Sequence, residues 1–203
     1  MAALANPDRE VRMGAAWVMG VALKDNPPLC AEWLQQEGHK GIITVLTTEP
    51  AENDDNRSKY MTVLSATLET SAALQKAFER ERGYSLLTAP IAAQSRAKSI
   101  AKILFILSKL VTAEAHGALG AIKEPAVVQG AAAFVSTEPT DGDAAVQRVE
   151  MALRLLRALD QSPAFLDGDD IVASAVAGCR RWVKAAADKD LLDEVAHLLK
   201  EFD

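Results

Sequence analysis

Apolar residues recur every three or four positions almost throughout the chain, and no sustained two-residue alternation appears. Ala, Leu, Glu, Lys and Arg, all good helix formers, fill the periodic segments. Proline and glycine fall between them, as at Asn26-Pro27-Pro28, Gly38, Glu49-Pro50, Glu138-Pro139-Thr140-Asp141-Gly142 and Ser162-Pro163. The pattern predicts an all-α protein.

Long helices are predicted over 8–25, 55–71, 95–113 and 143–160. Each leads through a turn into a short helix, and through a second turn into a medium one. The medium helices are expected to open near Gly41-Ile42, Gly83-Tyr84, Pro125-Ala126 and Asp170-Ile171. From Ile42 to Tyr84, Ala126 and Ile171 the successive intervals are 42, 42 and 45 residues. A helical repeat of about 40–47 residues is of the armadillo or HEAT class. The expectation is one domain, a right-handed α-α superhelix (armadillo-repeat solenoid), with units 1–54, 55–94, 95–142 and 143–187. A terminal capping helix, 188–203, follows, its outer face made polar by Asp188, Lys189, Asp193, Glu194 and Lys200. On the third long helix, Ile100, Ile103, Leu104, Leu107, Leu110 and Val111 form a stripe too broad for one neighbour, as suits a helix wedged between two repeats. The chain enters its first long helix almost at once, with no preceding cap, so the sequence is expected to be a piece of a longer one.

Composition narrows the function classes. With 49% hydrophobic residues among 203, a core is affordable only as a stack of units, and wholesale disorder is excluded. No window approaches 18 uninterrupted apolar residues, so no membrane partner is expected. No basic-then-apolar leader opens the sequence, which points to the cytosol. Cys30 and Cys179 read as small buried residues, and three scattered histidines make no metal cluster. The net charge of −6 argues against nucleic acid as the main partner.

The run Ala15-Ala16-Trp17-Val18-Met19-Gly20-Val21-Ala22, with Asp25-Asn26-Pro27 after it, is the most informative. It resembles the third, groove-lining helix of an armadillo repeat. Karyopherin-type armadillo proteins carry a Trp in this helix and an Asn one turn on. Here Val21 stands at the Asn position and the other long helices have neither residue, so the peptide-clamp ladder is absent. The chain is more similar to the armadillo-type nucleotide exchange factors of the 70-kDa heat-shock protein. Ala15, Ala16, Trp17, Gly20, Ala22, Asn26 and Pro27 match that family's first such helix, while Lys24 and Asp25 depart from it. The following order also resembles the family: Gly41-Ile42-Ile43-Thr44-Val45-Leu46, then Gly83-Tyr84-Ser85-Leu86-Leu87, then the Lys- and Ser-bearing run Arg96 to Leu104. The resemblance implies a concave armadillo surface that wraps one lobe of the chaperone's ATPase domain and promotes ADP release. It implies no nucleotide or other cofactor on the factor itself. The family has cytosolic and endoplasmic-reticulum branches, so the reticulum lumen is the alternative compartment if a leader has been trimmed. The chain is expected to act as a monomer.

A helical wheel advanced about 100° per residue places Arg9, Arg12, Ala16 and Gly20 opposite the apolar stripe of the first long helix. The second shows Lys59, Thr62, Ala66 and Glu69 there, the third Lys98, Lys102, Phe105 and Lys109, the fourth Glu150, Arg154 and Arg157. Eight bases against two acids gather on these free sides of a chain whose total is −6. Such a field suits an acidic partner, although lysines coat the free side of many helices. The expected partner-binding residues are therefore Arg9, Arg12, Lys59, Lys98, Lys102, Phe105, Lys109, Arg154 and Arg157. Phe105, set among Lys98, Lys102 and Lys109, is either a binding anchor or a residue covered by a neighbouring helix. Trp17 either lines one end of the groove or, the favoured reading, packs between the first two repeats. The alternative function is an armadillo-type adaptor for another acidic protein or peptide.

Catalytic chemistry finds little support. His39, His116 and His197 are far apart, with no evident nucleophile beside them. Asp167-Gly168-Asp169-Asp170 lacks the alternating ligands of a calcium loop and reads as a turn and helix N-cap. No GxxxxGK[ST] loop is present.

Overall fold

A computed structural model describes residues 2–48, 54–95, 97, 99–137, 142–162, 169–185 and 192–202. The described residues form twelve α-helices and no strand: α1 (Arg9–Leu23), α2 (Pro27–Gln35), α3 (Gly38–Thr48), α4 (Asp54–Thr70), α5 (Ala72–Arg80), α6 (Gly83–Ala92), α7 (Ser99–Thr112), α8 (Ala118–Ile122), α9 (Pro125–Ser136), α10 (Asp143–Asp160), α11 (Asp169–Ala185) and α12 (Asp193–Leu199). Single 3-10 turns, Ala2–Ala5 and Lys200–Phe202, flank the set.

Local chemistry places the helix starts. Asp8 Oδ1 accepts from the Glu10 N–H at 2.8 Å and caps α1. Asn26 Oδ1 accepts from the Leu29 N–H at 3.3 Å, and Pro27 and Pro28 occupy the first turn of α2, where no intrahelical donor is needed. Ser71 does the same for α5. The tight α2–α3 and α5–α6 corners turn on Glu37 and Arg82, both with positive φ, and each is followed by a glycine, Gly38 or Gly83. A Cβ on Gly38 would lie 2.3 Å from the Trp33 ring, and one on Gly83 2.4 Å from the Phe78 ring. The same device, an aromatic residue lying flat on a glycine five positions on, thus recurs in the first two units.

The long helices α1, α4, α7 and α10 lie side by side in chain order, and α12 closes the row against α10. The medium helices α3, α6, α9 and α11 form a second row against them, with α2, α5 and α8 at the turns. The long helices start at Arg9, Asp54, Ser99 and Asp143, which are 45, 45 and 44 residues apart. This is a stack of repeated helical units consistent with an α-solenoid. Two sequence expectations are corrected: the first medium helix opens at Gly38, not near Gly41, because the Trp33 ring needs a glycine at the corner, and proline and glycine also fall within helices, Pro90 in α6, Gly14 and Gly20 in α1 and Gly130 in α9. The short helix expected in the fourth unit, the start of the cap helix and the Asp167-Gly168 turn lie outside the described residues.

The core is continuous along the stack. The whole expected stripe of α7 is buried, together with Ile106, because α4 flanks α7 on one side and α10 on the other. Each fully buried Leu or Ile contributes about 1.5–3 kcal/mol. Polar staples tie unit to unit. Trp182 Nε1 on α11 donates to the Val135 carbonyl of α9 at 2.9 Å, and Gln75 Oε1 accepts from the His116 N–H at 3.1 Å. Tyr84 Oη donates to the His116 carbonyl at 3.1 Å, and burial pushes its hydroxyl up to about 12. Cys30 and Cys179 are buried and unpaired as disulfides. Burial raises both thiols, Cys179 to about 12, so neither is a reactive thiolate.

Candidate functional site

The free side of the long-helix row begins with Ser58, Thr62, Ser65 and Glu69, which leave α4 partly open every third or fourth residue. It continues on α7 with Lys102, Phe105, Lys109 and Thr112, and on α10 with Glu150, Arg154 and Arg157. These stripes adjoin. Lys102 Nζ crosses from α7 to α4 and donates to the Ser58 carbonyl at 2.9 Å and to Thr62 Oγ1. On the other flank a cleft of about 320 Å³ lies between α7, α10 and the C-terminal turn. Phe105, Lys109, Arg154, Arg157, Gln161 and Leu198 line it. A cleft of about 410 Å³ between α9 and α11 is larger, but half of its lining is Ala132, Ala133, Ile171 and Ala175 and the rest is Gln129, Ser136, Ser174 and one carboxylate, Asp170, with no cation or aromatic ring. Converging charged and aromatic groups favour the smaller cleft as the candidate site.

Phe105 is 37% exposed on a helix whose other large apolar side chains are buried. Lys109 Nζ sits 5.6 Å from the centre of its ring, a cation–π pair one helical turn long. An aromatic anchor held by its own cation at a cleft mouth can offer a protein partner both apolar contact and a positive charge.

The cations expected to surround it are not equally available. Arg12 Nη1 donates to the carbonyls of Asn6 and Pro7, at 2.8 and 2.9 Å, and so holds the chain leading into α1. Lys102 is half-buried, and its pKa is lowered, first by burial and then by neighbouring Lys59. It braces α4 rather than projecting toward solvent. Arg154 Nη2 meets Glu194 of α12 at 2.6 Å and Glu150 of its own helix at 3.1 Å. Arg157 Nη1 is paired with Glu201 of the final turn, while its Nε is buried without a hydrogen-bond partner. Lys98 lies outside the described residues. Lys59 borders the Lys102 bridge, half-buried, and Arg9 is exposed at the start of α1.

The free sides of α7 and α10 are thus where the wheel puts them. On α4 the wheel is slightly rotated, for Ala66 is buried and Ser65 is open. On α1 it is inverted. Ala16 and Gly20, expected on the free side, are buried, and a Cβ on Gly20 would lie 3.1 Å from Thr62 Cγ2. These small residues let α1 approach α4 closely, and the large apolar residues turn outward instead. Trp17, expected between repeats, is 57% exposed. Glu194 and Glu201 were missed as site residues. Their signal was the acidic last helix, whose partner on α10 only the chain reversal reveals.

Among the described residues no group of three or more His, Cys, Asp or Glu side chains could hold a metal ion, and no helix is long and apolar enough to cross a membrane. His39 is buried with Nδ1 unpartnered, and burial lowers its pKa. His116 Nδ1 lies 2.7 Å from Glu79 Oε2 on an exposed surface. Neither histidine has a hydrogen-bonded hydroxyl or thiol. No protein-family model matches the chain, and no curated protein matches it.

Proposed function

We propose that this chain is a protein-binding module, a nucleotide exchange factor that holds the ATPase domain of a 70-kDa heat-shock protein on the free side of its long helices. The observation that carries protein binding is Phe105, exposed beside Lys109 at the mouth of the α7–α10 cleft. The chaperone as partner rests on the resemblance of Ala15-Ala16-Trp17, Gly20, Ala22 and Asn26-Pro27. In this reading the helical units are armadillo repeats wound into a right-handed superhelix, and the free side is its concave surface. The mechanism is differential affinity: the factor binds the open, ADP-free lobe arrangement better than the closed one and shifts the population toward it. No catalytic group and no cofactor of its own enter. The cytosol is the compartment that goes with this reading, the reticulum lumen with its other branch.

The in-cis ion pairs of Arg154 and Arg157 favour a second reading, an adaptor for some other protein, because they leave the face less cationic than the sequence count. One experiment separates the two. Release of a fluorescent ADP analogue from the chaperone ATPase domain is timed with and without this chain, and with Phe105→Ala. The proposal expects faster release, lost by at least tenfold in affinity in the variant, with melting temperature within a few degrees of the parent. Unchanged release sinks the exchange-factor reading. A large melting drop with intact binding makes Phe105 a core residue.

A further inference from the structure

The α7–α10 cleft already holds a carboxylate, and it belongs to the chain itself. Three cations line the cleft, Lys109 of α7 and Arg154 and Arg157 of α10, against a single acid among the described residues, Glu201 of the C-terminal turn. Glu201 is paired with Arg157 Nη1, yet Arg157 Nε is buried with no hydrogen-bond partner. A guanidinium presents its donors as a fork that suits a carboxylate gripped by two N–H groups. Glu201 leaves part of that fork unused. Lys109 has no carboxylate partner among the described residues; its ammonium lies over the Phe105 ring. The turn that brings Glu201 here is lightly held. Val195, Leu198 and Leu199 are buried and fix α12 to the core, and Arg180 Nη2 donates to the Leu199 carbonyl at 3.0 Å, just before the turn. In the Lys200–Phe202 turn itself no residue is buried, and Phe202 rests on the core only partly covered. The Arg157 and Glu201 side chains are 32% and 28% exposed, so water competes for both. The turn is thus free to withdraw Glu201 while α12 stays in place.

We propose that this cleft is the seat for a carboxylate of an acidic partner segment, and that Glu201 is its built-in competitor, displaced when the partner binds. The competitor rests on the reading of this cleft as a protein-binding site, and the segment the cleft admits carries an acidic residue beside an apolar one. The partner's carboxylate goes to Arg157, with Arg154 and Lys109 adding attraction, and its apolar side chain goes to the ring of Phe105. Glu194 keeps its pair with Arg154 throughout, since it stands on the held helix. A competitor in cis lowers apparent affinity in proportion to the molecules in which the site is left open. A partly exposed pair biases closed over open by a factor of about one to five, so removing the competing carboxylate raises affinity about two- to sixfold.

The probe is a capped, fluorescently labelled peptide in which phenylalanine is flanked by two glutamates on each side, and binding is read by anisotropy at low salt. Glu201→Gln is expected to bind it about two- to sixfold more tightly than the parent, with a melting curve within a few degrees of it. Glu32→Gln, an exposed acid on α2, reports the loss of one negative charge alone and is expected to gain less. In an Arg157→Gln background the peptide is expected to bind more weakly than to the parent, and the added Glu201→Gln to gain no more than that control. Amide exchange at Glu201 and Phe202 is expected to quicken when the peptide binds the parent, which a change in net charge would not cause. Equal affinity of Glu201→Gln and the parent overturns the competitor, as does slower exchange in the turn. A peptide that binds neither form overturns the seat itself. The chaperone takes no part in these measurements, so unchanged ADP release beside intact peptide competition sinks the exchange-factor reading alone.

Discussion

Gly130 lies on α9 where that helix crosses α6. A Cβ built there would stand 2.2 Å from the Ile91 carbonyl oxygen, 2.8 Å from its carbon and 3.2 Å from Ala92 Cα. All three obstacles are backbone, so no rotamer change relieves Gly130→Ala, and α9 must move away by about 1 Å to reach ordinary contact. A gap of that size forfeits a quarter to a half of the dispersion energy of the atoms facing it. Those atoms belong to a buried seam that includes Leu87 and Ile91 on α6 and Val127 and Ala131 on α9. Overpacking of this kind costs about 1–3 kcal/mol, at its upper end when backbone is the obstacle. The gain in helix propensity offsets about 1 kcal/mol. A net loss of roughly 1–2 kcal/mol corresponds to a melting temperature about 2–8 °C lower for a chain of this size. Gly120→Ala on α8 is the control. Nothing lies within 4 Å of its Cβ, so the propensity term acts alone and melting should rise by at most about 2–4 °C. Thermal unfolding by circular dichroism compares the two. If Gly130→Ala melts at or above the parent, the α6–α9 approach is not as close as described and the argument fails.

Two further outcomes follow from buried or paired charges. His39 titrates below its ordinary value because it is buried, with Glu81 opposing the shift and Lys40 adding to it. As pH falls below about 6.5, the unfolded chain takes up this proton first. Stability present above that value is therefore lost as pH drops toward the folded pKa. His39→Leu should flatten the decline in melting temperature between pH 6.5 and 5; an unchanged slope would show that another group causes it. Glu194→Gln with Glu201→Gln removes the C-terminal partners of Arg154 and Arg157, leaving Arg154 only its own-helix pair with Glu150. Such partly exposed pairs contribute about 0–1 kcal/mol to folding, so the double variant should fold normally. It should bind the chaperone ATPase domain more tightly at low salt and lose that gain as ionic strength rises, read by calorimetric titration. Affinity equal to the parent's at all salt concentrations would remove the two arginines from the contact.

The register of the helices was legible in the sequence because its causes are local. Asp8, Asn26 and Ser71 cap the helices that follow them through their own side chains, and Pro27 and Pro125 stand in the first turns of α2 and α9, where proline is favoured. The broad stripe of α7 was legible for the same reason, since a helix apolar on both flanks needs two neighbours. Phe105 could be singled out because it breaks that stripe. The start of α3 was misplaced by three residues, since Gly38 and Gly41 look alike until the Trp33 ring is seen to need the first of them.

Periodicity by itself determined that the chain is helical, that its units recur and which residues sit on one side of each helix. It could not say which side meets a neighbour. In α1 the large apolar residues face outward and the small Ala16 and Gly20 form the seam with α4, because close backbone approach, not side-chain size, governs that contact. Nor could it say which charges are already spoken for. Glu194 and Glu201 stand 40 and 44 residues beyond Arg154 and Arg157, and Lys102 reaches a carbonyl 44 residues away. Charge is additive along a sequence, but its availability depends on which groups the fold brings within hydrogen-bond reach, and that is a property of the stacked helices alone.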